Sequence, residues 1–86
     1  MGIVKISDLV HENLRLASSA FSRSINAQAE HWLRVGMLAE LRPDLRYPDL
    51  CRLLLAAEVS GRSLLEAATE TAFLEQVGLP PAQAAA

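Results

Sequence analysis

The sequence GIVKISDLVHENLRLASSAFSRSINAQAEHW, residues 2–32, decides the fold that we expect for this chain. It begins with GIVKI, residues 2–6, whose β-branched residues are typical of a short strand. The sequence indicates no second strand. Because a lone strand cannot satisfy its own backbone N–H and C=O groups, we expect it to pair with the same strand of a second copy. The sequence therefore predicts a homodimer.

Helices are predicted on both sides of the serine-rich turn that follows. The first, roughly residues 8–21, begins after Ser7 or Asp8 as its cap and spaces its apolar residues three and four apart. The second, roughly residues 25–41, begins after Ser24 as its N-cap. Each helix thus has one apolar stripe to bury.

Two further helices are predicted after a proline-containing connection. Pro43 ends the second helix, since the residue before a proline is disfavoured in helical conformation. Pro48 suits the first turn of a third helix, which Gly61 ends. Ser63 and Glu66 have the spacing of a capping box and open a fourth helix.

Gly78 is expected to end the fourth helix, and residues 79–86, LPPAQAAA, to be a frayed tail. The predicted fold is therefore mostly α-helical. One N-terminal strand pairs with its copy in a homodimer, and four helices follow it.

Composition limits the functions that this chain of 86 residues can have. It is long enough for one small domain. The net charge of −2 is not that of a dedicated nucleic-acid binder, and the acidic residues concentrate in the second half. The single cysteine, Cys51, fits a reducing cytosol, and no apolar run is long enough to cross a bilayer. We expect a cytoplasmic protein without a membrane partner.

Strand, helix, tight turn and helix in this order resemble the ribbon-helix-helix plan. Residues 2–41 are similar to the ParD-like antitoxins of bacterial toxin–antitoxin operons, and RSINAQAEHW, residues 23–32, is the most specific piece. The resemblance implies an antitoxin that represses its own operon and neutralises a toxin. It also implies two regions: residues 1–41 for dimerisation and DNA binding, and residues 42–86 for toxin binding or dimer extension.

The resemblance places DNA contacts in the first region. Met1, Ile3 and Lys5 would face the major groove, where Lys5 could donate to guanine and Ile3 could touch a thymine methyl group. The start of the second helix offers free N–H groups and the positive end of a helix dipole to a phosphate. The expected phosphate contacts are Arg23, Ser24, Ile25 and Asn26. Ser24 could equally be a cap alone, and Lys5 and Arg23 could be solvated residues.

Two apolar sets complete the expected sites. Strand and helix positions that the family buries between protomers predict a dimer core of Val4, Ile6, Leu14, Trp32 and Leu33. The leucine-rich second half predicts a toxin-binding surface of Leu50, Leu53, Leu54, Leu55, Leu65 and Phe73. By family analogy, the toxin would be a small basic protein of the ParE type.

Catalytic and metal sites have no support in the sequence. His11 and His31 have no second ligand at metal-binding spacing, and Cys51 has no motif partner. The four glycines are scattered, which excludes a nucleotide-binding loop. We expect neither enzymatic activity nor a cofactor.

Two other functions are compatible with the same residues. One is a stand-alone DNA-binding regulator whose C-terminal helices only enlarge the dimer. The other is an interaction-only dimer that has lost DNA binding, which the negative charge and the apolar Ile3 favour.

Overall fold

A computed structural model describes residues 3–82 of the chain. It contains the five helices α1 (Asp8–Ala20), α2 (Ile25–Leu41), α3 (Tyr47–Ser60), α4 (Leu64–Thr69) and α5 (Thr71–Val77). The chain forms two compact units, Met1–Leu33 and Arg34–Ala86, whose boundary lies inside α2. The functional division that we predict between residues 41 and 42 stays a prediction.

The N-terminal strand is not formed. Residues 3–7 have no regular secondary structure, and no strand occurs anywhere in residues 3–82; Gly2 lies outside the described residues. A strand is defined by its ladder, and the single chain supplies no partner for one. Val4 and Ile6 accordingly remain exposed. The predicted ribbon-helix-helix fold, with its paired N-terminal strand, is therefore wrong for this structure.

Helix α1 begins and ends with specific hydrogen bonds. The amide of Val10 donates to Ser7 Oγ at 3.2 Å, which confirms Ser7 as the cap. At the other end, Arg23 N donates to Ser18 O at 2.9 Å and Ser22 N to Ser19 O at 3.3 Å. These two bonds define a Schellman motif, and Ser22 takes its left-handed position with a φ of 55°.

The second unit has five caps or turns of the expected kind around α3 and α4. Ser63 Oγ accepts from Glu66 N at 3.1 Å, and the Glu66 carboxylate accepts from Ser63 N at 3.0 Å, so the predicted capping box is confirmed. Gly61 ends α3 and Gly78 ends α5, both in left-handed conformation, as predicted.

The predicted fourth helix is two helices, so the expected number of four is wrong. Glu70, with φ −74° and ψ 113°, interrupts it between α4 and α5. In an unbroken helix, Ala68 and Phe73 would lie about 140° apart around the axis. Both are buried in the structure, at 0 % and 5 % exposure. The break lets both side chains enter the same core.

The second unit has a closed apolar core. Helices α3, α4 and α5 pack on one another, and the core extends to the residue after Gly78, because Leu79 is 5 % exposed. The expectation of a frayed tail is wrong for residues 79–82; residues 83–86 lie outside the described residues. The buried core consists of Leu38, Leu45, Leu50, Leu53, Ala57, Ala67, Ala68, Phe73, Leu74 and Leu79.

Candidate functional site

The first unit contains an open apolar groove of about 460 Å³. Its walls come from the N-terminal segment, from α1 and from the first half of α2. Its lining residues are Val4, Ile6, Val10, His11, Leu14, Ile25, Asn26, Ala29, Trp32 and Leu33. Because all of them belong to residues 1–33, the groove is a property of the first unit alone.

The groove brings together all five residues of the predicted dimer core. Leu14 forms its floor and is 5 % exposed. Trp32 and Leu33 are 42 % and 65 % exposed. Large apolar side chains that line a concave surface and remain open to water are typical of an interaction site.

The start of α2 lies beside this groove and is built as expected. Ser24 Oγ accepts from Ala27 N at 3.0 Å, which confirms the predicted cap. The first intrahelical bond is Gln28 N to Ser24 O, at 2.9 Å. The N–H groups of Ile25 and Asn26 precede it, so they have no acceptor within the helix. Both residues are exposed.

Arg23 is held at this helix start by two neighbours. Its Nη1 donates to Gln28 Oε1 at 3.1 Å, and its guanidinium lies over the Phe21 ring at 5.4 Å. Gln28 is 1 % exposed, so the amide that holds Arg23 is itself fixed by packing. Burial and the charge of Arg23 lower the pKa of His31. The positive charge at this end of α2 is therefore positioned rather than free.

The predicted base-contacting residues are exposed but unsupported. Ile3 is 90 % exposed and Lys5 is exposed, while Met1 lies outside the described residues. With no strand to orient them, the structure does not bring these side chains together with the start of α2 as one surface.

The predicted toxin-binding residues separate into two groups. Leu50, Leu53 and Phe73 lie in the core of the second unit, at no more than 5 % exposure. Leu55 and Leu65 are 67 % and 54 % exposed, and Leu54 is half-buried. A partner of the closed unit can therefore reach Leu55 and Leu65.

Comparison with known families identifies the chain. The family model of the ParD-like antitoxin of type II bacterial toxin-antitoxin systems matches residues 1–73. The chain belongs to this family. No curated protein and no solved structure matches it. The match extends the resemblance seen in residues 2–41 through α4 and into α5.

The antitoxin also has a buried arginine that the sequence did not lead us to expect. Arg42 is 1 % exposed. Its Nε and Nη2 donate to the Asp44 carboxylate at 3.0 and 2.8 Å. Its remaining donors reach main-chain oxygens: Nη1 that of Ala68 at 3.2 Å, and Nη2 those of Pro80 at 2.8 Å and Pro81 at 3.3 Å. We call this arrangement the arginine latch.

The latch uses the geometry of a guanidinium fully. Its fork pairs with both oxygens of one carboxylate, and the other N–H groups satisfy carbonyl oxygens that would otherwise be buried without donors. Donation from Arg42 lowers the pKa of Asp44. The sequence pattern, an arginine and an aspartate separated by Pro43, gives no sign that either side chain is buried.

Other types of site are absent from the part of the antitoxin that the structure describes. Within residues 3–82, no group of three or more His, Cys, Asp or Glu side chains could hold a metal ion. No helix among the described residues is long and apolar enough to span a membrane.

Proposed function

We propose that this antitoxin neutralises a cognate toxin by direct binding, and that as a homodimer it binds operator DNA and represses its own operon. The half-exposed apolar groove of the first unit carries the proposal. Family membership supports the antitoxin role. The apolar groove supports dimerisation, since a small unit with so little of its own core gains much from association.

The dimer contact that we propose is made by the walls of the groove. Trp32 and Leu33 offer the largest exposed apolar area, and aromatic anchors in concave sites commonly dominate interface energies. Val4 and Ile6 at the other wall would be covered at the same time. Leu14 is already buried and would complete the shared core.

DNA binding is proposed at the start of α2. The N–H groups of Ile25 and Asn26 and the Ser24 side chain would face one phosphate, and Arg23 would add charge. Lys5 and Ile3 are proposed as base contacts. A dimer would present each of these groups twice.

Toxin binding is proposed on the exposed part of the second unit. Leu55 and Leu65 supply apolar area, with the half-buried Leu54 beside them. The exposed acids of this half of the chain, among them Glu58 and Glu66, suit a small basic toxin of the ParE type. Leu50, Leu53 and Phe73 would contribute by supporting this surface from below.

The toxin proposal is tested by coexpression with the adjacent open reading frame. We expect its product to inhibit growth alone, and to copurify with the antitoxin when both are present. Replacing Leu55 and Leu65 together by alanine should release the toxin, whereas Leu9→Ala, an equally exposed change in the first unit, should not. A neighbour that neither inhibits growth nor copurifies would contradict the toxin assignment.

DNA binding is tested by a gel-shift titration on the upstream region at several salt concentrations. Arg23→Ala should weaken binding and lower the salt slope by about one unit, as expected for one lost phosphate contact. Arg15→Ala is the control, because Arg15 is already paired with Glu12 at 2.6 Å. Absence of binding at low salt would favour the interaction-only dimer, which the net charge of −2 also favours.

A further inference from the structure

The last described residues of the chain form a feature that neither proposed binding step uses. We call residues 79–82, LPPA, the strap. Gly78 turns the chain back at the end of α5 with a φ of 84°. Leu79 then enters the core, and its amide donates to Leu74 O at 2.9 Å. The strap thus has a turn at its base and one apolar anchor.

The arginine latch holds the outer end of the strap. Pro80 and Pro81 have no N–H group, so their polar contacts are made through carbonyl oxygens. Nη2 of Arg42 donates to both, at 2.8 and 3.3 Å. Two consecutive prolines also stiffen the segment in an extended form, which limits the entropy lost when it docks.

Opening the strap would leave most of the second unit intact. The intrahelical hydrogen bonds of α3, α4 and α5 do not involve residues 79–82. Arg42 would keep its two bonds to Asp44 and its bond to Ala68 O, so its charge would not be stranded in the core. The groups that lose partners are Leu79 and two proline carbonyls, which water can reach as soon as the strap lifts.

We propose that the strap is a releasable cover on the apolar core of the second unit, locked by the Arg42–Asp44 pair. It opens locally, at a lower free energy than unfolding of the three helices. Its release uncovers the core residues that cluster with Leu79, which include Phe73 and Leu74. The proposal is independent of toxin and DNA binding, because it concerns the free antitoxin.

Amide hydrogen exchange of the full-length chain, followed by NMR at low urea concentrations, tests the proposal. In the natural sequence, the Leu79 amide should exchange faster than the amides of Leu53 and Ala57 in α3. Asp44→Asn replaces a charged acceptor of Arg42 by a neutral one. It should raise the Leu79 exchange rate by about tenfold, and change the α3 rates by less than about threefold. Glu75→Gln is the matched control, since it neutralises an exposed acid on α5 outside the latch.

Each other outcome overturns the proposal. If Leu79 and the α3 amides exchange together and respond equally to Asp44→Asn, the strap is part of one cooperative core. If Asp44→Asn leaves Leu79 unchanged, or if Glu75→Gln acts as strongly, the latch is not the lock. If Asp44→Asn does not fold, the latch is indispensable to the helices, and a separate strap opening does not exist.

Discussion

The two units of this antitoxin treat their apolar residues in opposite ways. Among residues 3–33, the buried side chains are Leu14, Ser18 and Gln28, and the larger apolar residues line an open groove. The second unit encloses its leucines and locks them with a buried arginine. Residues with the same chemistry therefore serve two purposes: they stabilise one unit from within and leave the other dependent on a partner.

The largest effect is expected from breaking the latch of the closed unit. Arg42→Met removes the donors of Asp44, Ala68 O and both proline carbonyls, which should lower the free energy of unfolding by about 3–5 kcal/mol. Urea titration followed by Tyr47 fluorescence measures it, since this single tyrosine lies in the second unit and the single tryptophan in the first. Arg52→Met, at a half-exposed position, should change stability by no more than about 0.5 kcal/mol. Equal effects would contradict the role of the latch.

Two leucines on α3 compare the inside and outside of the same unit. Leu53 is 0 % exposed and Leu55 is 67 % exposed. Leu53→Ala should destabilise by about 2–5 kcal/mol, and Leu55→Ala by less than about 0.5 kcal/mol. Thermal unfolding measured by circular dichroism separates them. A large loss from Leu55→Ala would mean that its side chain is covered by something within the free protein.

Trp32 tests whether the open unit depends on a second copy. Trp32→Ala should raise the dissociation constant of the homodimer by about 30-fold, the effect of losing an aromatic interface anchor worth about 2 kcal/mol. Sedimentation equilibrium measures this. Leu9→Ala is the control, because Leu9 is 72 % exposed and does not line the groove. An unchanged constant for Trp32→Ala would place the dimer contact elsewhere.

Acid should weaken the closed unit through Asp44. Its pKa lies below the ordinary value of 3.8 because Arg42 donates to the carboxylate. A lowered pKa in the folded state gives stabilisation that is complete above about pH 4 and is lost as the pH falls through the folded-state value. The difference in unfolding free energy between the natural chain and Asp44→Asn should thus be constant near neutrality and shrink below about pH 4. A constant difference down to pH 2 would exclude Asp44 as the responsible group.

The smallest effect is expected at a turn of the open unit. Ser22, Gly61 and Gly78 hold the same left-handed position in three Schellman motifs, but serine has a Cβ that disfavours it. Ser22→Gly should raise stability by about 1 kcal/mol, whereas Gly61→Ala should lower it by a similar amount. Denaturant midpoints measure both. No gain from Ser22→Gly would mean that the entropy of the added glycine offsets the relief of strain.

Local features of this fold follow from the sequence. Ser7, Ser24 and the Ser63–Glu66 pair all cap helices as predicted, because a capping side chain needs only neighbours within three residues. The bounds of α2 and the turns at Gly61 and Gly78 follow for the same reason. The pattern of residues 4–33 also predicted which side chains would share a surface, since spacing along α1 and α2 fixes their faces.

Features that depend on distant residues did not follow. The strand of residues 2–6 was inferred from β-branched residues, but its existence requires a partner that one chain does not supply. Glu70 breaks a helix because Ala68 and Phe73 must both reach the core, which is a packing condition rather than a propensity. Burial of Leu50, Leu53 and Arg42 depends on α4, α5 and the strap, none of which is near them in sequence.

The arginine latch has a consequence for the order in which the chain is completed. Its main-chain contacts join residues that are 26, 38 and 39 positions apart. During translation, Arg42 leaves the ribosome before any of these oxygens has been synthesised, and the closed unit lacks its final pieces until the last residues emerge. The latch therefore acts as a check on length: an antitoxin that stops short of Pro80 carries an arginine without its carbonyl partners and a core without Leu79.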